Sequence, residues 1–331
     1  MAKTLIIGGG GFIGAQVARA LAVRGDSVDI LDDFSRAVRD PFLHEIENMK
    51  GVGLIDADIL DPATSTLLGS DYTFIYQFAA IVGVRHVLER PYEVLHKNVL
   101  IQAKAIELAK QQKKLDRFIF ASTSEVYSGS LKHTSMPIPT PEYVPIALTD
   151  LESPRTSYML SKIYGEAMCL QSDLPFTVVR PHNVYGPRMG LVHVLPELIK
   201  KVSILPRMGQ LEVASIDHCR AFCFIDDAVE IFRRLACHPK AAGGTFNLGN
   251  QEKEVTIGEV ARIVLKVSGR MDLEIVPLPE TQGSPFRRCP DMTKTINLIG
   301  CLPLVSLEEG IQRTYKWYAD NILSNKEVSA I

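Results

Sequence analysis

Apolar residues occur in two alternating patterns along the first 180 positions. Short, continuous apolar runs, typical of buried strands, alternate with longer stretches in which apolar residues recur every three or four positions, as on one face of a helix. The runs are KTLIIGG, SVDILDD, VGLIDADI, YTFIYQFAA, DRFIFASTSEVY and FTVVRPHNVYG. Repeated strand–helix units with continuously apolar strands predict a parallel sheet that is covered by helices on both faces.

The helix FIGAQVARALAVRG follows the first run, and two longer helices are predicted at about Tyr92 to Lys113 and from Tyr158 to about Gln171. After Pro181, prolines and glycines become frequent and the predicted elements become shorter. The run CRAFCFIDDAVEIFRRLA still indicates a strand and a helix by which the chain returns to the sheet. Two amphipathic helices, VTIGEVARIVLKVSG and SLEEGIQRTYKWYADNIL, predict a smaller C-terminal part.

A glycine-rich turn, GGGGFIG, joins the first predicted strand to the first helix. Gly8, Gly11 and Gly14 would allow a tight turn, close approach of the backbone to a pyrophosphate, and close helix–strand packing. The helix start at Phe12 and Ile13 would then present free N–H groups to that negative charge. A purely structural turn is the alternative, but the position between a strand and a helix predicts a dinucleotide site.

Acidic residues after the second and third strands indicate which dinucleotide binds. Asp32 and Asp33 end the second strand, where a carboxylate accepts hydrogen bonds from the adenosine ribose and repels a 2′-phosphate, so NAD is favoured over NADP. Arg36 lies close by and weakens this preference. Asp58 and Ile59, in DADIL after the third strand, are placed for the adenine edge, although Asp58 could equally be a helix cap.

Together these patterns predict an α/β fold: a Rossmann-type doubly wound parallel sheet with a smaller, interleaved C-terminal substrate-binding domain. We assign residues 1–181 and about 218–248 to the NAD-binding domain. The smaller domain would comprise about 182–217 and 249–331. The cleft between the two should lie at the carboxyl ends of the strands.

A tyrosine and a lysine four residues apart, Tyr158 and Lys162 in SYMLSK, indicate the chemistry. One helical turn separates them, so the Lys162 ammonium can lie near the Tyr158 phenol and lower its pKa. Such a tyrosine can exchange a proton with a substrate hydroxyl while a nicotinamide takes a hydride. The Y-x-x-x-K pattern is weak alone and gains weight from the glycine turn and from the upstream cluster ASTSEVY.

Composition argues against several other classes of protein. The formal net charge of −2 gives no reason to expect nucleic acid or an anionic membrane as a partner. No apolar run approaches the roughly 20 residues that cross a bilayer. The six cysteines show no C-x-x-C pair, and no His/Asp/Glu cluster has metal-ligand spacing. We therefore expect reduced cysteines, no metal site and a cytoplasmic protein.

The chain as a whole resembles the extended short-chain dehydrogenase/reductase family of nucleotide-sugar epimerases, dehydratases and decarboxylases. The resemblance runs through GGGGFIG, QFAA, the Asn98 helix, ASTSEVY, SYMLSK, RPHNVYGPR, RAFCFIDD, FNLGN and FRRCPD. It implies bound NAD and a first step that removes hydride from the sugar, usually at C-4. It also implies that Tyr158 transfers the proton, that Lys162 assists it on the nicotinamide ribose, and that the Thr123 hydroxyl hydrogen-bonds the reacting oxygen.

The resemblance assigns further residues to both sides of the site. Ala79 and Ala80 of QFAA would contact the coenzyme, and Asn98 would support the tyrosine and lysine through the backbone. On the substrate side, Asn183 would hold the diphosphate. Arg220 and Arg288 would clamp the diphosphate, although each arginine alone could instead form a surface ion pair. The other residues expected to line the substrate are His182, Val84 and Arg85.

The motif Thr123-Ser124-Glu125 does not decide between the possible second steps of the reaction. A glutamate there resembles sugar 4,6-dehydratases, where it removes the C-5 proton, and UDP-glucuronate decarboxylases, which share T-S-E-V-Y. Ser124 stands where the commonest dehydratases have an aspartate that protonates the departing hydroxyl. Plain 4-epimerases usually need no acid at this place. Glu125 could also be a structural acid.

Other sequence motifs also favour different reactions. Pro154-Arg155 and GPRM at 186–189 favour the decarboxylases, whereas GVRHVLERP at 83–91 is more similar to 4-epimerases. The proline-rich loop 129–154 is expected to cover the sugar. We expect a UDP sugar processed through a transient 4-ketone, with decarboxylation first, 4-epimerisation second and 4,6-dehydration third. A catalytically silent NAD-binding protein is the non-enzymatic alternative.

A homodimer is also expected, because in this family the helices that carry Asn98 and Tyr158 usually pack against their copies. The apolar residues that would serve this contact, or could equally face the sheet, are Val99, Leu100, Ile106, Met159, Ile163 and Met168.

Overall fold

The computed structural model describes residues 2–281, 283–300 and 303–324, and it does not describe the side chains of Val84 and Arg85. The strands, in chain order, are β1 (Lys3–Ile7), β2 (Ser27–Asp32), β3 (Val52–Asp56), β4 (Phe74–Gln77), β5 (Arg117–Ala121), β6 (Phe176–Pro181), β7 (Val184–Tyr185), β8 (Gln210–Ala214), β9 (Cys219–Ala221), β10 (Cys223–Phe224), β11 (Gly244–Leu248), β12 (Glu254–Thr256), β13 (Glu274–Leu278) and β14 (Arg287–Arg288). The α-helices are α1 (Phe12–Val23), α2 (Pro41–Glu47), α3 (Thr64–Leu67), α4 (Val84–Glu89), α5 (Pro91–Lys110), α6 (Ser128–His133), α7 (Pro154–Leu170), α8 (Val194–Ile204), α9 (Ile225–Cys237), α10 (Ile257–Ser268), α11 (Thr293–Ile299) and α12 (Leu307–Tyr318).

Seven parallel strands form the central sheet in the order β11-β6-β5-β4-β1-β2-β3. From β1 the chain builds outwards to β3, then returns to the other side of β1 and builds outwards again from β4. The loops after β1 and β4 therefore diverge, which opens a crevice at the carboxyl ends of these strands. This is the doubly wound α/β sheet predicted from the sequence.

The strands are continuously apolar because helices cover both faces of the sheet. Alternate residues serve opposite faces: Ile6 belongs to the buried cluster that includes Phe232 of α9, whereas Leu5 and Phe118 belong to the cluster that includes Ala105 of α5. All five side chains are fully buried. Each of the four larger side chains contributes about 1.5–3 kcal/mol when it leaves water.

The strand predicted in the run from Cys219 does not join the central sheet, whereas the helix of that run, α9, packs against the sheet. β9 pairs instead with β12 and β14, and β10 pairs with β7, in small separate sheets. The seventh strand of the central sheet is β11, in TFNLGN. The physical reason is that Arg220 interrupts the apolar run, so β9 and β10 are too short to fill a strand position that is buried on both faces.

The two long helices have different boundaries from those predicted. α5 begins at Pro91 and ends at Lys110, and α7 begins at Pro154 rather than at Tyr158. Each helix has a proline in its first turn, where the missing N–H group leaves no hydrogen bond unmade. Tyr158 and Lys162 therefore lie within a formed helix.

A buried ion pair fixes α7 on the sheet. Glu166 of α7 accepts two hydrogen bonds from Arg180 of β6, from Nε at 2.9 Å and from NH2 at 2.6 Å, and one from Ser122 Oγ at 2.5 Å. Arg180 NH1 donates to the Tyr127 hydroxyl at 2.7 Å, which in turn donates to Asn247 Oδ1 at 2.8 Å. This network joins the helix, two neighbouring strands and the segment after β5.

Gly8 and Gly25 provide a matched test of the glycine turn. Both have positive φ (+78° and +86°), but a Cβ on Gly8 would lie 2.5 Å from the main-chain nitrogen of Ala79, whereas one on Gly25 would meet nothing within 4 Å. Gly25→Ala should lower the free energy of unfolding by about 1–2 kcal/mol, the strain of a left-handed residue. Gly8→Ala should lower it further, because the turn must move away from Ala79. Denaturant unfolding measures both, and equal losses would contradict the close approach.

Glu166→Gln should be severely destabilising, because it leaves the Arg180 guanidinium buried without a counter-charge. The expected loss in the free energy of unfolding is about 3–5 kcal/mol. The matched control is Glu230→Gln on α9, where Glu230 binds Arg233 and Arg234 in a partly exposed cluster and about 0–1 kcal/mol is expected. Similar losses in the two variants would show that the buried pair does not hold α7 in place.

Candidate active site

A cavity of about 1240 Å³ lies at the carboxyl edge of the central sheet. Its wall contains the glycine turn, the ends of β2 and β4, the segment after β5, the start of α7 and the loop after β7. The cavity is thus the crevice that the strand order creates.

The glycine turn forms a cradle for a pyrophosphate. A Cβ on Gly14 would overlap the carbonyl oxygen of Gly8, so α1 packs tightly under the turn. Gly11 is the N-cap of α1. A Cβ on Gly11 would have one neighbouring atom within 4 Å, the carbonyl oxygen of Gly8 at 3.4 Å, and would point away from the packed side of the turn. No side chain caps α1, so the N–H groups at Phe12 and Ile13 are left for a ligand. These residues fit NAD.

Acidic residues line the cavity where β2 ends. Asp32 accepts hydrogen bonds from Gly10 N (2.9 Å) and Phe34 N (3.0 Å), one on each carboxylate oxygen. Burial raises the pKa of Asp32, and these two hydrogen bonds oppose the rise. Asp33 is exposed and accepts from the backbone and hydroxyl of Ser35. Each carboxylate oxygen retains acceptor capacity for a ribose hydroxyl.

Asp58 and Ile59 also line the cavity. Asp58 Oδ1 accepts from Leu60 N at 2.9 Å, a local turn rather than the cap of α3, whose N-cap is Ala63. The alternative expectation of a helix cap is therefore wrong for Asp58.

Ala79 and Ala80 line the cavity, but Asn98 lies behind its wall. The Asn98 amide accepts from Ile81 N at 2.7 Å and donates to Ile81 O at 3.1 Å and to Ser161 Oγ at 3.3 Å. Ser161 is on α7, so Asn98 ties the loop after β4 to the catalytic helix. It supports the site through the backbone and does not itself face the coenzyme space.

Thr123, Tyr158 and Lys162 come together at the centre of the site. Thr123 begins the 3₁₀ turn Ser124–Tyr127, and Tyr158 and Lys162 follow on adjacent turns of α7. Thr123 hydrogen-bonds the Tyr158 hydroxyl, and Lys162 Nζ lies 5.9 Å from the centre of the Tyr158 ring. Lys162 Nζ donates to Ala121 O at 2.8 Å, and burial lowers the pKa of Lys162 to about 8.

The expectation that Lys162 lowers the pKa of Tyr158 is wrong in this arrangement. Burial raises the Tyr158 pKa well above its ordinary value, and the negative charge of Glu125 raises it further. The opposing influences are the hydrogen bond with Thr123 and the positive charge of Arg36. The physical reason is that the Lys162 ammonium is directed at the Ala121 carbonyl rather than at the phenol oxygen.

Glu125 and Arg288 form an ion pair in the cavity wall. Arg288 NH1 donates to Glu125 Oε1 at 2.7 Å, and Ser128 Oγ donates to Glu125 Oε2 at 3.1 Å. Burial alone would raise the pKa of the Glu125 carboxyl, but Arg288, Ser128 and the nearby Arg155 outweigh burial and hold the pKa below its ordinary value. Ser124 also lines the cavity beside this pair.

The other residues predicted to contact the substrate differ in whether they line the cavity. Asn183 lines the cavity and donates to Ala221 O at 3.0 Å. Arg220 and His182 do not line it, so their assignment to the substrate is not supported by the geometry. Arg220 donates from NH1 to the carbonyls of Cys219 and Phe286 and from NH2 to the Ser284 hydroxyl, so both of its terminal nitrogens are engaged within the protein. The predicted contacts of Val84 and Arg85 lie outside the described side chains.

His182 is buried behind the wall, where its Nε2 lies 3.3 Å from Asn247 Oδ1. Burial lowers the pKa of His182 to about 3, and the Arg288 charge adds to this, so the ring is neutral at physiological pH. A neutral, enclosed imidazole serves the packing of the site rather than its proton transfer.

The loop after α6 is expected to cover the sugar, but its described residues do not form part of the cavity wall. The cavity wall contains Glu125 and Arg155 but none of the described residues between them. Instead, Thr140 N donates to Cys289 O at 2.8 Å, Asp291 N donates to Thr140 O at 2.9 Å, and Asn247 Nδ2 donates to Thr140 O at 2.9 Å. The loop thereby fixes the segment that follows Arg288.

Asn247 is a site residue that sequence reasoning missed. It is fully buried in β11; its Oδ1 accepts from Tyr127, and its Nδ2 donates to Thr140 O and Asp291 O. Tyr127 shares the 3₁₀ turn with Glu125, so one amide connects the turn of Glu125 to the segment after Arg288. The string FNLGN carried this residue, but nothing local in the string indicates its partners.

The described part of the chain contains neither a candidate metal site nor a candidate membrane span. No cluster of three or more His, Cys, Asp or Glu residues there is arranged to hold a metal ion. None of the described helices combines the length and apolar character that crossing a bilayer requires.

Comparison with known proteins identifies relatives of the same architecture. The NAD dependent epimerase/dehydratase family matches residues 4–249. A UDP-N-acetyl-alpha-D-glucosaminuronate decarboxylase of Bacillus cytotoxicus is 30% identical over 330 residues, which cover 96% of this chain and 98% of that protein. UDP-glucuronic acid decarboxylase 2 of Arabidopsis thaliana is 28% identical over 330 residues, which cover 98% of this chain and 70% of that protein.

A solved structure extends the likeness to the fold. The UDP-glucuronic acid 4-epimerase of Bacillus cereus, in complex with UDP-glucuronic acid and NAD, superposes with a TM-score of 0.81 at 26% identity and covers 96% of this chain and 99% of that one. The resemblance, the fold and the coenzyme predicted from the sequence are thus confirmed. The family match spans well over half of the residues, so the chain belongs to the NAD dependent epimerase/dehydratase family and is an NAD-dependent enzyme.

Proposed function

We propose that the protein decarboxylates a UDP-linked hexuronic acid through a transient 4-ketone. The observation that carries this proposal is the Glu125–Arg288 ion pair, with Arg155 beside it, in the same cavity as Thr123 and Tyr158. The arginines can hold the sugar carboxylate, because a guanidinium matches its two oxygens.

The chain's own residues account for the proton movements. NAD, held by the glycine turn and the end of β2, would supply an acceptor for the C-4 hydride and its later return. Tyr158 would take the proton of the C-4 hydroxyl as a phenolate, a form that the positive charge of the nicotinamide would favour when NAD is bound, and Thr123 would hydrogen-bond that oxygen. The resulting 4-keto acid then loses carbon dioxide: the C-5–C-6 bond breaks, its electron pair moves into the carbonyl as an enolate, and C-5 takes up a proton. The proton for C-5 would come from water, because the Glu125 carboxyl is ionised and a guanidinium keeps its protons; the Glu125–Arg288 pair would supply charge in the wall of the same cavity.

The low pKa of Glu125 favours decarboxylation over 4,6-dehydration. A dehydratase would need Glu125 as a base strong enough to take the C-5 proton, whereas Arg288 holds this carboxylate in its weakly basic, ionised form. Dehydration would also need an acid for the departing hydroxyl, and Ser124 stands at that place. A β-keto acid needs no base to lose carbon dioxide.

The second candidate is 4-epimerisation of the same kind of substrate. The solved 4-epimerase that binds UDP-glucuronic acid supports it, since that protein shares 26% of its residues over 96% of this chain. The decarboxylases among the relatives include one for the N-acetylated uronate. Both uronates are therefore candidate substrates.

We further propose that residues 182–217 and 249–331 supply the sugar side of the site.

We also propose that two copies of the chain pair through α5 and α7. Leu100 and Tyr164 are exposed on these helices (42% and 55%), whereas Ile106 and Met159 are buried and serve the core. Sedimentation at micromolar concentration tests the pairing, and a monomer alone would refute it.

We propose a cytoplasmic location, because Cys169, Cys219, Cys237 and Cys289, in the described part of the chain, are reduced thiols. Fractionation of the source cells tests this location.

Incubation with UDP-glucuronate and with UDP-N-acetylglucosaminuronate tests the reaction. We expect one of them to yield a UDP-pentose lighter by the mass of carbon dioxide, without consumption of added NAD, and mass spectrometry measures this. An unchanged mass with inverted C-4 by NMR would establish the 4-epimerase instead, and loss of water would establish the dehydratase.

Glu125→Gln and Tyr158→Phe should affect different steps. Tyr158→Phe removes the proton acceptor and should slow formation of bound NADH by about 10²–10⁴-fold. Glu125→Gln breaks the ion pair with Arg288, so NADH should form and then persist while release of carbon dioxide slows. Stopped-flow absorbance follows the NADH. Loss of NADH formation in both variants alike would assign Glu125 to the first step.

A further inference from the structure

The Arg36 side chain crosses the mouth of the crevice. Arg36 follows β2, yet its NH1 donates to Ala80 O beyond β4 at 3.4 Å, and its NH2 lies 3.7 Å from the Cβ position of Gly83. β2 and β4 flank β1 on opposite sides, so they are about 10 Å apart. The guanidinium therefore reaches from one wall of the crevice to the other.

The glycine turn lies beneath this crossing. Ala37 Cβ is 3.0 Å from the Cβ position of Gly10, so the loop that carries Arg36 rests on the turn. On the other side, the main chain of Ala79 touches the Cβ position of Gly8 at 2.5 Å. Arg36 and the glycine turn at the N-terminus of α1 thus line the same cavity.

Arg36 differs from its neighbouring arginines in having unused donors. A guanidinium carries five N–H groups, and the Ala80 carbonyl engages one donor nitrogen of Arg36. Arg39, in the same loop, pairs with Asp56 at 2.5 Å, and Arg188, in the cavity wall, has its Nε on a carboxylate at 2.5 Å. Within the described ranges, no carboxylate lies at ion-pairing distance from Arg36.

We propose that Arg36 binds the pyrophosphate of NAD opposite the N-terminus of α1 and slows release of the coenzyme. A phosphate at a helix N-terminus leaves oxygens on its far side for a planar, permanently charged fork. The direction of the side chain also revises the expectation that Arg36 weakens the preference for NAD, because it extends across β1 towards β4, away from the end of β2. This inference rests on NAD dependence and not on the sugar reaction.

Release of labelled NAD from the full-length protein into excess unlabelled NAD tests the proposal. Arg36→Ala should release NAD roughly 10- to 100-fold faster, the worth of a hydrogen bond to a charged group. Arg36→Lys should fall between this variant and the wild type, since it keeps the charge and loses the fork. Arg39→Ala is the matched control from the same loop and should release NAD at the wild-type rate.

Calorimetry with two fragments of the coenzyme locates the effect. Arg36→Ala should weaken ADP-ribose, which contains the pyrophosphate, by the same factor and leave adenosine unchanged. An equal loss for both fragments would place Arg36 on the adenosine and overturn the proposal. Unchanged NAD release in Arg36→Ala, or equal acceleration in Arg39→Ala, would overturn it as well. Sugar turnover enters none of these measurements, so they stand even if the uronate is not the substrate.

Discussion

The reversal of strand order between β1 and β4 is the constraint on which the rest of the structure depends. When a parallel sheet is wound in both directions from its middle, the loops that leave its two central strands diverge. That divergence leaves backbone N–H groups of α1 facing a gap that no other element fills. The coenzyme cradle is therefore a product of topology, and the glycines adapt the backbone to it.

The catalytic side of the site depends on buried polar contacts rather than on apolar packing. Glu166 and Arg180 anchor α7 to β6, and Asn247 joins the 3₁₀ turn to the segment after β14. Apolar contacts are nondirectional and would permit small rotations of a helix. Charge-assisted hydrogen bonds have a defined direction and restrict such rotation, so they set where the Tyr158 phenol lies.

The sequence predicted what is repeated or local. Apolar runs gave six of the seven sheet strands, and the spacing of Gly8, Gly11 and Gly14 gave the nucleotide turn. The sequence could not predict contacts between residues that lie far apart in the chain. Arg220 and His182 were assigned to the substrate by their neighbours in sequence, whereas Ser284 and Asn247, more than 60 residues away, determine where they point. The orientation of Lys162 depends in the same way on a carbonyl in another strand.

The ion pair between Glu125 and Arg288 joins residues separated by 163 positions. The dinucleotide cradle, by contrast, is encoded almost wholly in the first third of the chain. Contacts of such long sequence separation carry the largest loop-closure entropy and are disfavoured early in folding. Chain growth therefore specifies the glycine turn and the acidic end of β2 first, and the Glu125–Arg288 pair forms only when the last segment has docked.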